Sequence, residues 1–434
     1  MSSAKPIKIN IESILPLMAT IWLFVALNSY IIWNPLAPIL HIFPSLFIIL
    51  GTIAISKKLR SNKYLLYLSI LFLLYYFWIL FRVYNSVATY VRFFMDFLPM
   101  SCIFFWPKDL ILKTYYIIRK IIIFFAIGSA IITVLILLGF GERIPHLVLP
   151  PREALHERIG VVYYLYGFFV ADCYPFRGVA GRACGMLQEP GHFAILLGFI
   201  YIIERVSNRK INFWIVLCGV LTFSSAFVLM VLFTEVHHLF VWKKLKKILL
   251  ILPIVAIGLI AVYSFLPSDV KEQVEYLAYG RNLESVVEAY NESSSLTSAL
   301  DERASDDSIA EYEKMSTMQY LFGGGQVDVA EGGMLSDYRG MILHIGILGL
   351  VLSAFLFFFI VRGTPLKVKI ALLFAYFLVL IHRSWMLYAP PHIIFLAFLA
   401  VFSYRVYNSK RNSQVGIINE NYNNMIVAPK VIEI

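Results

Sequence analysis

The residues best suited to chemistry lie in one stretch, FRGVAGRACGMLQEPGH, which covers 176–192. It holds four glycines, the guanidinium groups of Arg177 and Arg182, the carboxylate of Glu189 and the imidazole of His192. Guanidinium groups grip phosphate oxygens at two points and keep their charge, and glycines let a backbone approach a ligand closely. A helix that begins at the glutamate would add free N–H groups, which also favour an anion. The stretch predicts a phosphate or pyrophosphate site; the simpler alternative is that both arginines pair with Glu189 or with lipid headgroups.

Three further ionisable residues fall in strongly apolar surroundings, where charge is costly and often functional. Arg92 and Asp96 are four residues apart, so on a helix they share one face and either neutralise each other or line a site. Arg383 ends another apolar run, where it either contacts phosphate or extends to lipid headgroups.

The elements that must position these residues are membrane helices. Of 434 residues, 60% are hydrophobic and only 15% are charged, which excludes a soluble enzyme, a nucleic-acid binder and a disulfide scaffold. The apolar residues form runs of roughly 15 to 23, long enough to cross a hydrocarbon core of about 30 Å. We predict an all-α bundle of twelve transmembrane helices, at about 12–32, 36–56, 64–82, 87–107, 121–140, 190–204, 211–224, 226–242, 248–266, 340–361, 370–387 and 391–405.

The basic residues indicate the orientation of these helices. Most of the 37 Lys and Arg residues cluster in short loops, and such loops stay on the cytoplasmic side. All of these clusters fall inside when both termini are cytoplasmic. In 211–242 we predict two short helices, because a single span would place the KKLKK run outside.

Two long segments then lie outside the membrane. In 141–189, the run VVYYLYGFFV (161–170) is too short to span, so we expect it to re-enter the membrane or lie at its surface. The segment 267–339 has fifteen acidic and five basic residues, and its apolar residues recur at helical spacing, which predicts an amphipathic cap of two helices. The chain thus divides into helices 1–5, the first external segment, helices 6–9, the second external segment, helices 10–12 and a cytoplasmic tail, at 1–140, 141–189, 190–266, 267–339, 340–405 and 406–434.

Several short motifs resemble the bacterial O-antigen polymerase family and, more loosely, the O-antigen ligases. The run R-x-x-G-x-x-x-E-P-G covers 182–191; YLFGGGQ (320–326) and HIGILGL (344–350) follow in the family's order. Ligases usually carry a His-Asn pair before that helix, whereas this chain has Ser336 and Asp337, as in a polymerase.

The resemblance implies transfer of a growing glycan from one undecaprenyl pyrophosphate to the terminal sugar of another lipid-linked repeat unit. Cationic donors must stabilise the leaving pyrophosphate, and a carboxylate or imidazole must accept the hydroxyl proton. We assign the base, in decreasing order of preference, to Glu189, then Asp337, then His192 and His344, although a structural role is the simpler interpretation of His344. The predicted binding residues are Arg177, Arg182, Arg303, Arg383 and Arg92.

The implied setting is the periplasmic face of the bacterial inner membrane, with lipid-linked oligosaccharides, membrane lipids, and a chain-length regulator and flippase of the same pathway as partners. We predict no metal and no cofactor, since arginines can hold a pyrophosphate without a divalent ion; Asp306 and Asp307 resemble a metal-binding pair but fit a solvated helix face better. The alternatives are an O-antigen ligase, a lipid-linked oligosaccharide flippase and a secondary transporter. The long acidic loop favours an enzyme over a flippase, which generally has short loops.

Overall fold

The computed structural model of the chain describes residues 11–27, 29, 36–60, 63–83, 87–149, 162–174, 179–187, 189–208, 211–242, 271, 306–324, 337–383, 392 and 395–403. The predicted span at 248–266 and most of the predicted cap lie outside these residues.

Five helices form the first half of the chain, as the apolar runs predict. They are α1 (Ile11–Ala26), α2 (Ala37–Ala54), α3 (Lys63–Val83), α4 (Val87–Phe105) and α5 (Lys108–Leu137). The last of these begins earlier than the predicted span at 121–140, since it already includes the basic turn at Lys108.

The chain is mostly helical, as predicted, but a small antiparallel sheet that was not predicted interrupts the helices in the first external segment. Its strands, in the order β1-β2-β3-β4, are β1 (Leu147–Leu149), β2 (Val162–Tyr166), β3 (Phe169–Tyr174) and β4 (Val179–Gly185). Residues 162–170 of the run that we expected to re-enter the membrane or lie at its surface belong to a β-hairpin. Its β-branched and aromatic residues favour strands. Gly167 has a positive φ, so it supplies the left-handed residue that a two-residue turn needs.

The second half is again helical. It comprises α6 (Pro190–Asn208), α7 (Phe213–Leu221), α8 (Ser225–Trp242), α9 (Asp306–Glu313), α10 (Thr317–Phe322), α11 (Tyr338–Val361), α12 (Leu366–His382) and a helical stretch at 395–403. Where one cap helix was predicted near 309–318, the described residues form two short helices. They are separated by Ser316, whose hydroxyl accepts from the Gln319 N–H in a capping box.

Helix α6 forms the centre of the bundle. All of its residues from 190 to 204 are buried, and it packs against α7, α8 and α12. By contrast, α2 and α3 expose large apolar side chains, including Phe43, Leu50, Phe77 and Phe81, each more than half exposed. Such surfaces are unfavourable in water and favourable against lipid. Among the described residues, four helices are long and apolar enough to cross a membrane: Ala37–Ala54, Leu65–Arg82, Lys108–Leu137 and Tyr338–Val361. The protein is therefore membrane-associated and mostly helical.

Side-chain contacts fix the relative directions of the central helices. Gly198 of α6 faces Met230 of α8, and further along both helices Arg205 pairs with Glu235, so α6 and α8 run in the same direction. The residue after α12, Arg383, contacts the first turn of α6, so α12 runs the opposite way. The start of α6 and the end of α12 therefore lie at one end of the bundle.

The two predicted helices of 211–242 are present, with a sharp turn between them. Phe223 in this turn has a positive φ, which is a strained conformation for a large side chain. Helix α7 has nine residues. With a rise of about 1.5 Å per residue, it is only about 13 Å long. It is thus shorter than the short helix predicted at 211–224 and too short to cross a hydrocarbon core of about 30 Å alone.

Candidate functional site at the head of the central helix

The candidate site begins with an ion pair between two distant parts of the chain. Arg383, just after α12, donates from Nη1 to Oε2 of Glu189, just before α6. Both side chains are about one-fifth exposed. The Nε of Arg383 is buried and has no hydrogen-bond partner in the described part of the chain. This guanidinium therefore has donor capacity that the carboxylate does not use.

Gly191 explains how the arginine comes so close to α6. A Cβ placed on Gly191 would lie 2.5 Å from Nη2 and 2.8 Å from Nε of Arg383. The guanidinium thus lies directly against the first turn of the helix, where backbone N–H groups are free of helical partners. A positive side chain and the positive end of a helix meet here, which favours an anion.

Two imidazoles lie beside this ion pair. Nε2 of His192, in the first turn of α6, is 2.6 Å from Nε2 of His392, and both residues are 4% exposed. Arg383 is close enough to His192 for the two side chains to interact electrostatically. The site thus joins Glu189, His192, Arg383 and His392.

Arg182, a predicted phosphate ligand, lies instead in the sheet. It stands directly opposite Asp172 on the neighbouring strand. Its Nε donates to Oδ1 at 3.0 Å and its Nη2 donates to Oδ2, so two points of the guanidinium are bound. Both residues are buried, at 6% and 2% exposed. Arg182 is therefore paired with this aspartate in the sheet.

The second predicted carboxylate, Asp337, caps α11. Its Oδ1 accepts from the backbone N–H of Arg339 at 2.8 Å, and its Oδ2 accepts from the guanidinium Nη2 of the same residue at 2.8 Å. Both residues are buried. Because a helix cap and an arginine already hold this carboxylate, it is less available as a base than Glu189.

His344 lies in α11 just before a break in the helix, and it is 9% exposed. Two residues later, Gly346 combines a positive φ with an extended ψ, a conformation found almost only in glycine. A Cβ on Gly346 would lie 2.4 Å from the backbone nitrogen of Gly323, which itself has a positive φ. The two glycine motifs of the sequence thus meet, backbone against backbone.

Helix α3 holds this junction together. Arg82 donates from Nε to the carbonyl of Phe322 at 2.7 Å, and Trp78 donates to the carbonyl of Ile345 at 2.7 Å. Those carbonyls have lost helical partners, because α10 ends and α11 breaks there. Nearby, the hydroxyls of Tyr312 and Tyr320 are hydrogen-bonded; burial, together with this bond, raises the pKa of Tyr312.

The remaining predicted residues lie partly outside the described structure. Arg177 and Arg303 are outside the described residues, as are the side chains of Arg92, Asp306 and Asp307. Asp96 contacts His41 of α2, with 2.8 Å between Oδ1 and Nε2. The described residues contain no group of three or more metal-ligating side chains.

Sequence reasoning missed three residues of these clusters, namely Asp172, Arg339 and His392. The first two carried a signal, since each is a charged residue within ten positions of the residue with which it pairs. His392 carried none, because its partner is 200 residues away in the chain.

Together, the helices and clusters define a membrane-associated helical protein with ionisable residues buried at one end of its bundle. Comparison with known proteins finds no matching protein family, no matching curated protein and no matching solved structure.

Proposed function

We propose that the protein is a glycosyltransferase that polymerises undecaprenyl-pyrophosphate-linked oligosaccharide repeat units at the periplasmic face of the bacterial inner membrane. The observation that carries the proposal is the Glu189–Arg383 pair resting on Gly191 beside His192. It brings together a carboxylate, a guanidinium and an imidazole at the start of α6. The product would be O-antigen or a related surface polysaccharide.

In this proposal the pyrophosphate binds near Arg383 and the first turn of α6. Preorganised donors of this kind stabilise charge on a leaving group and need no reorganisation during the reaction. Because an arriving pyrophosphate competes with Glu189 for the guanidinium, binding of the donor frees the carboxylate to act as a base. Arg177, Arg303 and Arg92 remain proposed cations that lie, wholly or in their side chains, outside the described residues.

Bond making and breaking then follow from these roles. A hydroxyl of the acceptor sugar attacks the anomeric carbon of the donor glycan, and its proton passes to Glu189. The bond between that carbon and the pyrophosphate oxygen breaks, and the electron pair leaves with the pyrophosphate. A direct displacement of this kind inverts the anomeric centre. The arginine supplies the positive charge, so the reaction is proposed to be metal-independent.

The contact between Gly323 and Gly346 supports a cap that is attached to the bundle. Helix α3 binds both sides of this junction, since Arg82 donates to the carbonyl of Phe322 at the end of α10 and Trp78 donates to that of Ile345 at the break in α11. The large segments are proposed to lie in the periplasm and both termini in the cytoplasm. A chain-length regulator and a flippase of the same pathway are the expected protein partners.

The test uses the full-length protein in membranes with purified lipid-linked repeat unit, without ATP, nucleotide sugar or added metal. We expect a ladder of glycan lengths from the wild type and none from Glu189→Gln. Glu235→Gln is the matched control, because Glu235 also pairs with an arginine of this bundle but lies further along α6 and α8. It should ladder normally. Transport of the lipid-linked unit without bond formation, or ladders from Glu189→Gln, would contradict the proposal.

A further inference from the structure

Two neutral imidazoles in contact constrain one another. The Nε2 atoms of His192 and His392 are 2.6 Å apart, which is hydrogen-bonding distance and leaves room for one proton between them. If both nitrogens carried hydrogen they would repel, and if neither did there would be no bond. One ring therefore donates and the other accepts, so the two rings hold opposite tautomers.

The surroundings of the pair disfavour a simple filler role. The next residues of α6, Phe193 and Ala194, are apolar and buried, and a side chain of that kind would fill the space of His192 without burying two polar rings. Among the described residues, this pair does not belong to a group of three or more metal-ligating side chains. The Glu189–Arg383 ion pair lies beside these rings. Arg383 interacts electrostatically with His192 and lies against Gly191, the residue before His192.

We infer that His192 and His392 form a two-imidazole proton relay that carries the acceptor hydroxyl's proton away from the site. A proton that arrives on the outer nitrogen of one ring sends the shared Nε2 proton across to the second ring. The second ring then releases the proton from its own outer nitrogen, which for His392 is the buried Nδ1, to a water molecule that reaches this nitrogen. The pair ends with the tautomers exchanged and no net charge in the buried site, and the two tautomers must exchange back before the pair can carry another proton.

The relay deepens the proposed function and rests on it. Glu189 accepts the proton when the sugar oxygen bonds to the anomeric carbon and the pyrophosphate leaves with the electron pair. Glu189 passes that proton to His192, and so becomes a carboxylate again for the next addition. His392 is a positioning and proton-sharing residue, since it acts through His192 and not on the sugar.

The experiment compares ladder kinetics of the wild type and His392→Gln in the full-length protein. Glutamine can still hydrogen-bond His192 but cannot pass a proton through itself. We therefore expect kcat to fall by about tenfold or more, within the range of general acid–base effects, with KM for the lipid-linked unit unchanged. His237→Gln is the matched control, because His237 is a partly buried histidine of α8 stacked on Phe233 and should keep the wild-type rate.

Chemical rescue and a spectroscopic readout separate a relay from a structural role. Added imidazole should restore part of kcat in His392→Ala, since the removed ring leaves its own volume free. In the wild type with ¹⁵N-labelled histidine, scalar coupling across an N–H···N bond should appear between two imidazoles and vanish in His392→Gln.

Each outcome has a distinct meaning. A wild type that makes no ladder overturns the proposed function and the relay with it. A ladder from the wild type with an unchanged kcat in His392→Gln overturns the relay alone. If His392→Gln does not fold, absence of the coupling in the wild type overturns the relay, and its presence together with imidazole rescue of His392→Ala supports it.

Discussion

Two arginines predicted to bind phosphate occupy contrasting environments. Arg182 is buried in the sheet, where Asp172 binds it at two points. Arg383 lies at the end of α12, where it is about one-fifth exposed, shares one nitrogen with Glu189 and keeps a nitrogen without a partner in the described structure.

These environments indicate that the capacity of an arginine to bind a further anion depends on the partner it already has and not on its position in a motif. A buried pair with both charges satisfied is costly to open, because either ion left alone would be desolvated. A partly exposed pair with one contact can exchange its carboxylate for another anion at lower cost. We therefore assign Arg182 to the structure of the sheet and Arg383 to the site.

The largest expected effect breaks the first of these pairs. In Asp172→Ala, the guanidinium of Arg182 loses this carboxylate while it stays buried. We therefore expect the free energy of unfolding to fall by about 3–5 kcal/mol. The measurement is thermal unfolding of the detergent-purified protein. The double variant Arg182→Met with Asp172→Leu removes both charges and should regain most of that stability.

The double variant also tests whether Arg182 takes part in the reaction. We expect it to ladder at close to the wild-type rate, since no charge is missing from the site. A folded double variant that makes no ladder would return Arg182 to substrate binding and remove the contrast with Arg383.

The next effect concerns the rate and leaves folding in place. Arg383→Met keeps a long side chain against Gly191 but removes the charge, so we expect the laddering rate to fall about 100-fold or more. The rate is measured with lipid-linked repeat unit at saturating concentration, and folding is checked by size-exclusion chromatography. Full activity in this variant would exclude Arg383 from the reaction.

Much of the helical fold could be predicted from the sequence, because apolar runs of this length have few uses other than membrane helices. The sheet could not, since the run at 161–170 is apolar on both faces and lacks the alternation that marks a half-buried strand. Because the strands were not predicted, the pairing of Arg182 with Asp172 could not be predicted either, since it depends on the register between β3 and β4.

For the site, the contacts of Glu189 and Arg383 follow from topology. One residue precedes a helix and the other ends a helix of opposite direction, so both fall at one end of a bundle. The position of His392 could not be predicted in the same way, because a lone histidine in an apolar run does not reveal which helix it faces. Contacts of this kind are set by the packing of the whole bundle.

A smaller effect is expected at the junction of the glycine motifs. In Gly346→Ala, the new Cβ would meet the backbone of Gly323 at 2.4 Å and that of Leu321 at 2.5 Å, and the backbone there cannot yield. The residue would also keep a conformation costing about 1–3 kcal/mol. Thermal unfolding should show this loss, whereas Gly349→Ala, whose three nearest contacts are all with the side chain of Ile345, should lose less. Equal losses would mean that the junction adds no constraint.

The smallest effect is expected at Gly191, against which the guanidinium of Arg383 lies. In Gly191→Ala, the new methyl group would occupy space now held by the guanidinium of Arg383, whose nearest atom lies at 2.5 Å. Because that guanidinium is the far end of a flexible side chain, we expect it to move aside with little cost in stability. KM for the lipid-linked donor should then rise about tenfold, which corresponds to about 1.4 kcal/mol.

The matched control for this change lies in the same helix. Gly198→Ala places a methyl group 2.3 Å from Sδ of Met230, again against the far end of a flexible side chain, but two turns from the site. Its KM should stay at the wild-type value. If both variants raised KM equally, the effect would come from packing of α6 as a whole. A rise confined to Gly191→Ala means that the position of Arg383 against the first turn sets the affinity for the donor.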